Sequence, residues 1–180
     1  MYKQVAIGSL LFLLMLPVAR AKSAIYKTDA GITIKYTDCL IVDDNGAEAN
    51  DVTFTVNEPC SKKYSVGSGL QVVVHPNSGY KNLEHYEASL SGRSEVLTSK
   101  KQQFGRIRGI VLSAIHKEDR PLIDDVSQYN YLWTAALFCK TKLVTVDWTD
   151  HLTKRERESL RKNPKMPISF KEVIDGLKCS

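Results

Sequence analysis

Hydrophobic and polar positions alternate along several short stretches of this chain. Residues 32–37 (Ile-Thr-Ile-Lys-Tyr-Thr) alternate and are rich in β-branched side chains, which predicts a strand. Residues 52–56 put Val52, Phe54 and Val56 on one face and Thr53 and Thr55 on the other. Residues 70–74 form a short run of the buried type, and residues 107–115 read as a central strand. Residues 131–148 are long, apolar and β-rich, so they predict two strands or one strand with a bend. Their first part, 131–138, is expected in the core rather than in a binding pocket. Turn signals lie between these runs at Asp43-Asp44-Asn45-Gly46, Gly67-Ser68-Gly69, 75–79 and Glu118-Asp119-Arg120-Pro121.

The pattern changes towards the C-terminus. Residues 149–163 are polar and helix-favouring, with Thr149 or Asp150 as cap and Pro164 beyond the end. Ser169-Phe170-Lys171-Glu172 has the form of a capping box. It opens a short helix with Phe170, Val173, Ile174 and Leu177 on one side. The fold class expected is α+β, with a mainly antiparallel sheet and one or two C-terminal helices.

Residues 1–21 have the form of a secretory signal peptide. Lys3 supplies the charged start, residues 5–17 the apolar core, and Ala19 and Ala21 the small residues before cleavage. The apolar run is about 13 residues, short of the roughly 20 that cross a bilayer. The mature part, 22–180, is then expected as one secreted domain, monomeric and outside the membrane. The leader holds Lys3 and Arg20 and no acid, so the mature chain keeps 23 bases against 20 acids. That mild positive balance permits an anionic partner without demanding one.

Four cysteines, Cys39, Cys60, Cys139 and Cys179, all lie in the mature part. An even count in an exported chain implies two disulfides, for which three pairings exist. Their wide spacing disfavours a zinc knuckle or a redox pair. His75, His85, His116 and His151 form no ligand pair, so no metal and no cofactor is expected.

Two stretches hold the candidate chemistry. Residues 75–87 bring two imidazoles, two phenols, two amides and carboxylates together just after a strand. Such groups suit hydrogen bonding to a base edge, stacking, or acid–base work, and equally a plain surface loop. Residues 93–108 carry Arg93, Lys100, Lys101, Arg106 and Arg108 with Phe104 among them and only Glu95 as an acid. That set suits a phosphate backbone or a solvated loop. The mixed charges at 154–162 read as a self-paired helix face.

The stretch Tyr80-Lys81-Asn82-Leu83-Glu84-His85-Tyr86, preceded by His75-Pro76, resembles the guanine-recognition loop of small secreted fungal guanyl-specific ribonucleases. Arg108-Gly109-Ile110-Val111-Leu112 is similar to that family's arginine-bearing strand, and Leu137-Phe138-Cys139 to a segment of the related ribotoxins. The resemblance implies RNA recognition by Tyr80, Asn82 and Glu84, phosphate binding by Arg108 and a catalytic role for Glu95. Arg106, which alternates with Arg108 and so is expected on the same face of a strand, joins the phosphate-binding set, and His75 or His116 would supply the acid of an active enzyme. It also implies the ribotoxin pairing, Cys39 with Cys179 and Cys60 with Cys139. Val144 stands where the second catalytic histidine is expected, and Leu83 where a stacking tyrosine is expected. The reading is therefore a catalytically inactive, ribonuclease-like secreted effector of the kind found in powdery mildew fungi. It would bind RNA or a host protein to promote virulence, and its export would end outside the cell or inside a host cell. The alternatives are an active guanyl-preferring endoribonuclease, or a secreted, disulfide-stabilised β-rich binding protein unrelated to ribonucleases.

Overall fold

The structure is a computed structural model that describes residues 22–28, 30–43, 51–76, 78–117 and 129–179. The leader, the turn signal after Asp43 and the one at 118–121 lie outside the described residues. The strands are β1 (Ser23–Lys27), β2 (Ile32–Thr37), β3 (Leu40–Asp43), β4 (Asp51–Val56), β5 (Gly69–His75), β6 (Ser94–Phe104), β7 (Ile107–Lys117), β8 (Tyr129–Cys139), β9 (Lys142–Leu152) and β10 (Leu177–Cys179). The helices are α1 (Leu83–Ser91), α2 (Lys154–Lys162) and α3 (Ile168–Gly176). A seven-stranded sheet runs β3-β4-β5-β9-β8-β7-β6, and a three-stranded sheet runs β1-β2-β10. Every strand pair within the two sheets is antiparallel. The expected α+β class holds.

The core lies between the sheets. Ile32 and Ile34 of the small sheet, Phe54, Leu70, Val72, Trp133 and Val146 of the large one, and Phe170, Val173 and Ile174 of α3 form one buried cluster. Phe170 packs its ring 6.0 Å from that of Trp133. Burying such a side chain stabilises the fold by about 1.5–3 kcal/mol. The other face of the large sheet carries Ile110, Leu112, Ala114, Ala136 and Leu143, covered by Leu83, Tyr86 and Leu90 of α1. With helices on both faces, β8 is buried on both faces. That is why residues 131–139 read as a nearly continuous apolar run instead of an alternating one.

Two-residue turns close the long hairpins. Phe104 pairs with Ile107 across Gly105-Arg106, and Cys139 pairs with Lys142 across Lys140-Thr141. The first turn residue is left-handed in both, at φ 60° in Gly105 and 58° in Lys140. Glycine adopts that geometry freely, and lysine holds it at a cost.

Both disulfides form, with a different pairing from the one the ribotoxin resemblance implies. Cys39 joins Cys60 with Cα atoms 5.4 Å apart, and Cys139 joins Cys179 with Cα atoms 5.6 Å apart. The strand register is the reason. Leu40 pairs with Val56, which sets Cys39 beside the tight turn Glu58–Cys60 that follows β4. Cys139 and Cys179 end β8 and β10, so their bond ties the large sheet to the small one.

Candidate functional site

The residues of the 75–87 stretch do not form one recognition loop, because His75 ends β5 and residues 83–87 begin α1. Asn82 is the cap of α1, its Oδ1 accepting the His85 backbone amide at 2.8 Å. Tyr80 packs edge-on against Tyr86 and His85, at 5.2 and 5.5 Å between ring centres, so its ring is not free to stack on a base. Glu84 is exposed in the first turn of α1, 3.9 Å from Lys101.

The residues expected to act on a phosphodiester are held apart. His75 ends β5, Glu95 is on β6, and Arg108 and His116 are on β7. Three strand spacings separate β5 from β7, which is roughly 14 Å. Glu95 is opposite Ile115, and His116 is opposite Ser94. Glu95 and His116 therefore point to opposite faces of the sheet. His116 Nδ1 lies 2.7 Å from the Arg93 carbonyl and 3.3 Å from the Ser94 hydroxyl. Glu95 accepts from Arg161 Nε at 2.6 Å and Arg157 Nη2 at 3.1 Å. The Arg161 contact, then that of Arg157, holds the Glu95 carboxyl below its usual range. Arg157 also lies over the Tyr129 ring, 4.3 Å from its centre. Glu95 thus fastens α2 to the sheet. Arg108 is exposed opposite Gln103, and Arg106 sits in the β6–β7 turn rather than on a strand beside it.

His75 belongs to a polar chain beneath α1. Its Nε2 is 3.1 Å from the Thr145 hydroxyl, which donates to Asp147 at 2.8 Å. Thr134, directly opposite Asp147, is 3.2 Å from the Tyr86 hydroxyl. Burial raises the Asp147 carboxyl above its ordinary range, and burial followed by the Asp147 charge raises the Tyr86 phenol. Among the described residues, no three His, Cys, Asp or Glu side chains group as metal ligands would. No helix among them is long and apolar enough to cross a membrane.

The surface feature with binding character is a groove between α3 and the small sheet, about 410 Å³ in volume. Ser23 of β1, Lys35, Tyr36 and Thr37 of β2 line one side, and Ile168, Lys171, Glu172 and Asp175 of α3 the other. Close approach at Gly176 shapes its end, since a Cβ there would lie 1.8 Å from the Lys35 carbonyl oxygen. Glu172 braces the wall, accepting the Thr37 amide at 2.5 Å and the Tyr64 hydroxyl at 2.7 Å. That second bond, with burial next, raises the Tyr64 phenol. Lys171 pairs with Asp175 along the helix. Ile168 is 49% exposed, and Ile25, opposite Lys35 in the register, is 61% exposed. Sequence reasoning missed this groove. One signal was available: Ile168 stands outside the apolar stripe of Phe170, Val173, Ile174 and Leu177.

No protein-family model and no curated protein sequence matches this chain. Solved structures do. The Ran-binding protein Mog1p of Saccharomyces cerevisiae is 14% identical with a TM-score of 0.58, over 89% of this chain and 96% of that one. A point mutant of Mog1 is also 14% identical with a TM-score of 0.58, over 88% of this chain and 96% of that one. The cyanobacterial PsbP (CyanoP) of Synechocystis is 16% identical with a TM-score of 0.46, over 91% of this chain and 96% of that one. The ribonuclease resemblance is corrected by these findings. The similar folds are of the Mog1 kind, so neither the inactive ribonuclease-like effector nor the active guanyl-preferring ribonuclease stands. Of the readings weighed, the disulfide-stabilised β-rich protein unrelated to ribonucleases is the one whose fold agrees, being similar to that of Mog1p.

Proposed function

We propose that this chain is an exported, disulfide-stabilised binding protein whose target is another protein, docked along the groove between α3 and β1–β2. The observation that carries this is the exposed Ile168 on the wall of a charged groove, with exposed Ile25 on the adjoining strand β1, paired to the groove-lining Lys35. Exposing a large apolar side chain in the groove and a second on the strand that borders it costs solvation that a partner's apolar surface would recover. The partner is an extended segment with apolar side chains at alternate positions. Two features favour that form. Among the described residues β1 pairs only with β2, so its outer edge is open to a further strand. Lys35, Lys171, Glu172 and Asp175 set charges of both signs around the groove, which suits a polar rim.

The similar Mog1p is described as a Ran-binding protein. It is an instance of the same kind of scaffold serving protein recognition, although a fold alone does not fix a partner. The signal-like leader and the two disulfides support export into an oxidising compartment.

The test is quantitative co-purification from the native compartment with wild type, Ile25→Asp and Ile168→Asp. Both substitutions are on exposed positions and leave the core intact. One discrete protein should co-purify with wild type and fall about tenfold or more in each variant, the size of a central interface contact. Equal recovery by all three proteins would refute the groove as the docking site.

A further inference from the structure

A second cavity lies where the tips of the two long hairpins meet the C-terminal strand. Its volume is about 530 Å³, within the range of sites that take small organic ligands. Three cationic residues line it, each from a different element: Arg106 from the β6–β7 turn, Lys140 from the β8–β9 turn and Lys178 from β10. Its apolar wall comes from Phe104, Ile107 and Cys179. No acidic residue lines it, and none of the three cations makes an ion pair among the described residues.

That arrangement is electrostatically incomplete. Three like charges around one hollow repel one another, and the low-dielectric wall weakens the screening that water gives elsewhere. The arrangement is also built firmly. The hairpin turns hold Arg106 and Lys140 at fixed register, and the Cys139–Cys179 bond fixes β10, and with it Lys178, beside the end of β8. Lys140 keeps its left-handed backbone, φ 58°, where glycine would be unstrained. A bound anion would relieve the repulsion, and the apolar wall would cover a hydrocarbon body next to it.

We infer that this cup binds a small amphiphilic anion, with one anionic head group set among Arg106, Lys140 and Lys178 and an apolar body against Phe104 and Ile107. The site shares no lining residue with the α3 groove, so it stands or falls separately from protein docking.

The test is calorimetric titration of the disulfide-intact protein with decanoate below its micelle concentration, at low salt. Inorganic phosphate and decyltrimethylammonium serve as probes of charge alone and of the apolar body alone. Decanoate should bind saturably, more weakly as salt rises, with both other probes at least about tenfold weaker. Arg106→Gln and Lys178→Gln should each weaken decanoate roughly fivefold to tenfold, as loss of one charge-assisted contact does. Lys140→Gly should weaken it as much while leaving the protein at least as stable, because it removes the charge and the backbone strain together. Amide NMR shifts should centre on residues 104–107, 140 and 178. No saturable binding of decanoate, phosphate binding as tightly as decanoate, or shifts centred elsewhere would each overturn the inference.

Discussion

Asn82 shows how one side chain can look like recognition chemistry and serve the fold. Its backbone is extended just before α1, and its Oδ1 accepts the His85 amide. Asparagine is suited both to helix caps and to base edges, and a single sequence does not separate the two uses. Asn82→Ala should cost about 1 kcal/mol of stability, read from urea denaturation, and an unchanged midpoint would contradict the capping role. Glu95 was opaque for another reason. Its partners Arg157 and Arg161 lie 62 and 66 residues away, so the local sequence shows only one acid among bases. Asp147 permits a sharper prediction. Burial raises its pKa in the folded state against the opposing pull of Thr134, Thr145 and His75. The fold therefore favours the neutral acid, and that contribution is complete below the unfolded pKa and lost as pH rises through the folded one. Asp147→Asn keeps the shape and removes the charge. The Tm difference, variant minus wild type, should grow from about pH 4 to about pH 8, and a difference that is flat or falls with pH would contradict the burial of this carboxyl.

Elements were legible where periodicity was strong. The patterns at 32–37, 52–56, 70–74 and 107–115 became β2, β4, β5 and β7, and the 131–148 run became the β8–β9 hairpin. Elements with diluted patterns were not legible. Leu83, Tyr86 and Leu90 lie on one side of α1, yet the polar residues between them give the segment the look of a loop. The basic stretch 93–108 conceals β6, an edge strand whose exposed Lys100 and Lys101 discourage pairing with another chain. Tertiary pairing moved the start of α2. Leu152 still pairs with Tyr129 in the sheet, so Thr153 caps the helix and closes a capping box with Glu156. In α3 the apparent capping box does not form, because Ser169 donates to the Ser65 carbonyl and Glu172 is engaged by Thr37 and Tyr64. Cysteine number was readable and pairing was not, since pairing depends on strand register. The close approach of α3 to β2 is testable. A Cβ at Gly176 would meet the Lys35 backbone, so Gly176→Ala should destabilise by about 1–3 kcal/mol and disturb the groove. Wild-type stability in this variant, measured by denaturant unfolding, would mean that α3 lies farther from β2.

At the scale of the whole molecule, α3 fills the space between two antiparallel sheets, and α1 covers part of the outer face of the larger one. The fold class was visible in the order of strand and helix patterns. The groove was not, because β1, β2 and α3 come from opposite ends of the chain and meet only in the fold. The same holds for the cationic cup, which collects residues 106, 140 and 178. Disulfides anchor both regions: Cys39–Cys60 braces the segment after β2, and Cys139–Cys179 secures β10. The molecule is thus a scaffold stapled by two disulfides, with the groove and the cationic cup on its surface. His75, Glu95, Arg108 and His116 assemble into no catalytic constellation, since strand order and register hold them apart. The most direct measurement is site-specific photo-crosslinking in the native compartment, with the photoreactive residue at position 168 and, as control, at exposed Ser99 on β6. Docking at the α3 groove predicts one discrete protein adduct from position 168, lost when Ile25 is changed to Asp, and none from position 99. The same adducts from both positions, or none from position 168, would contradict protein docking at the α3 groove.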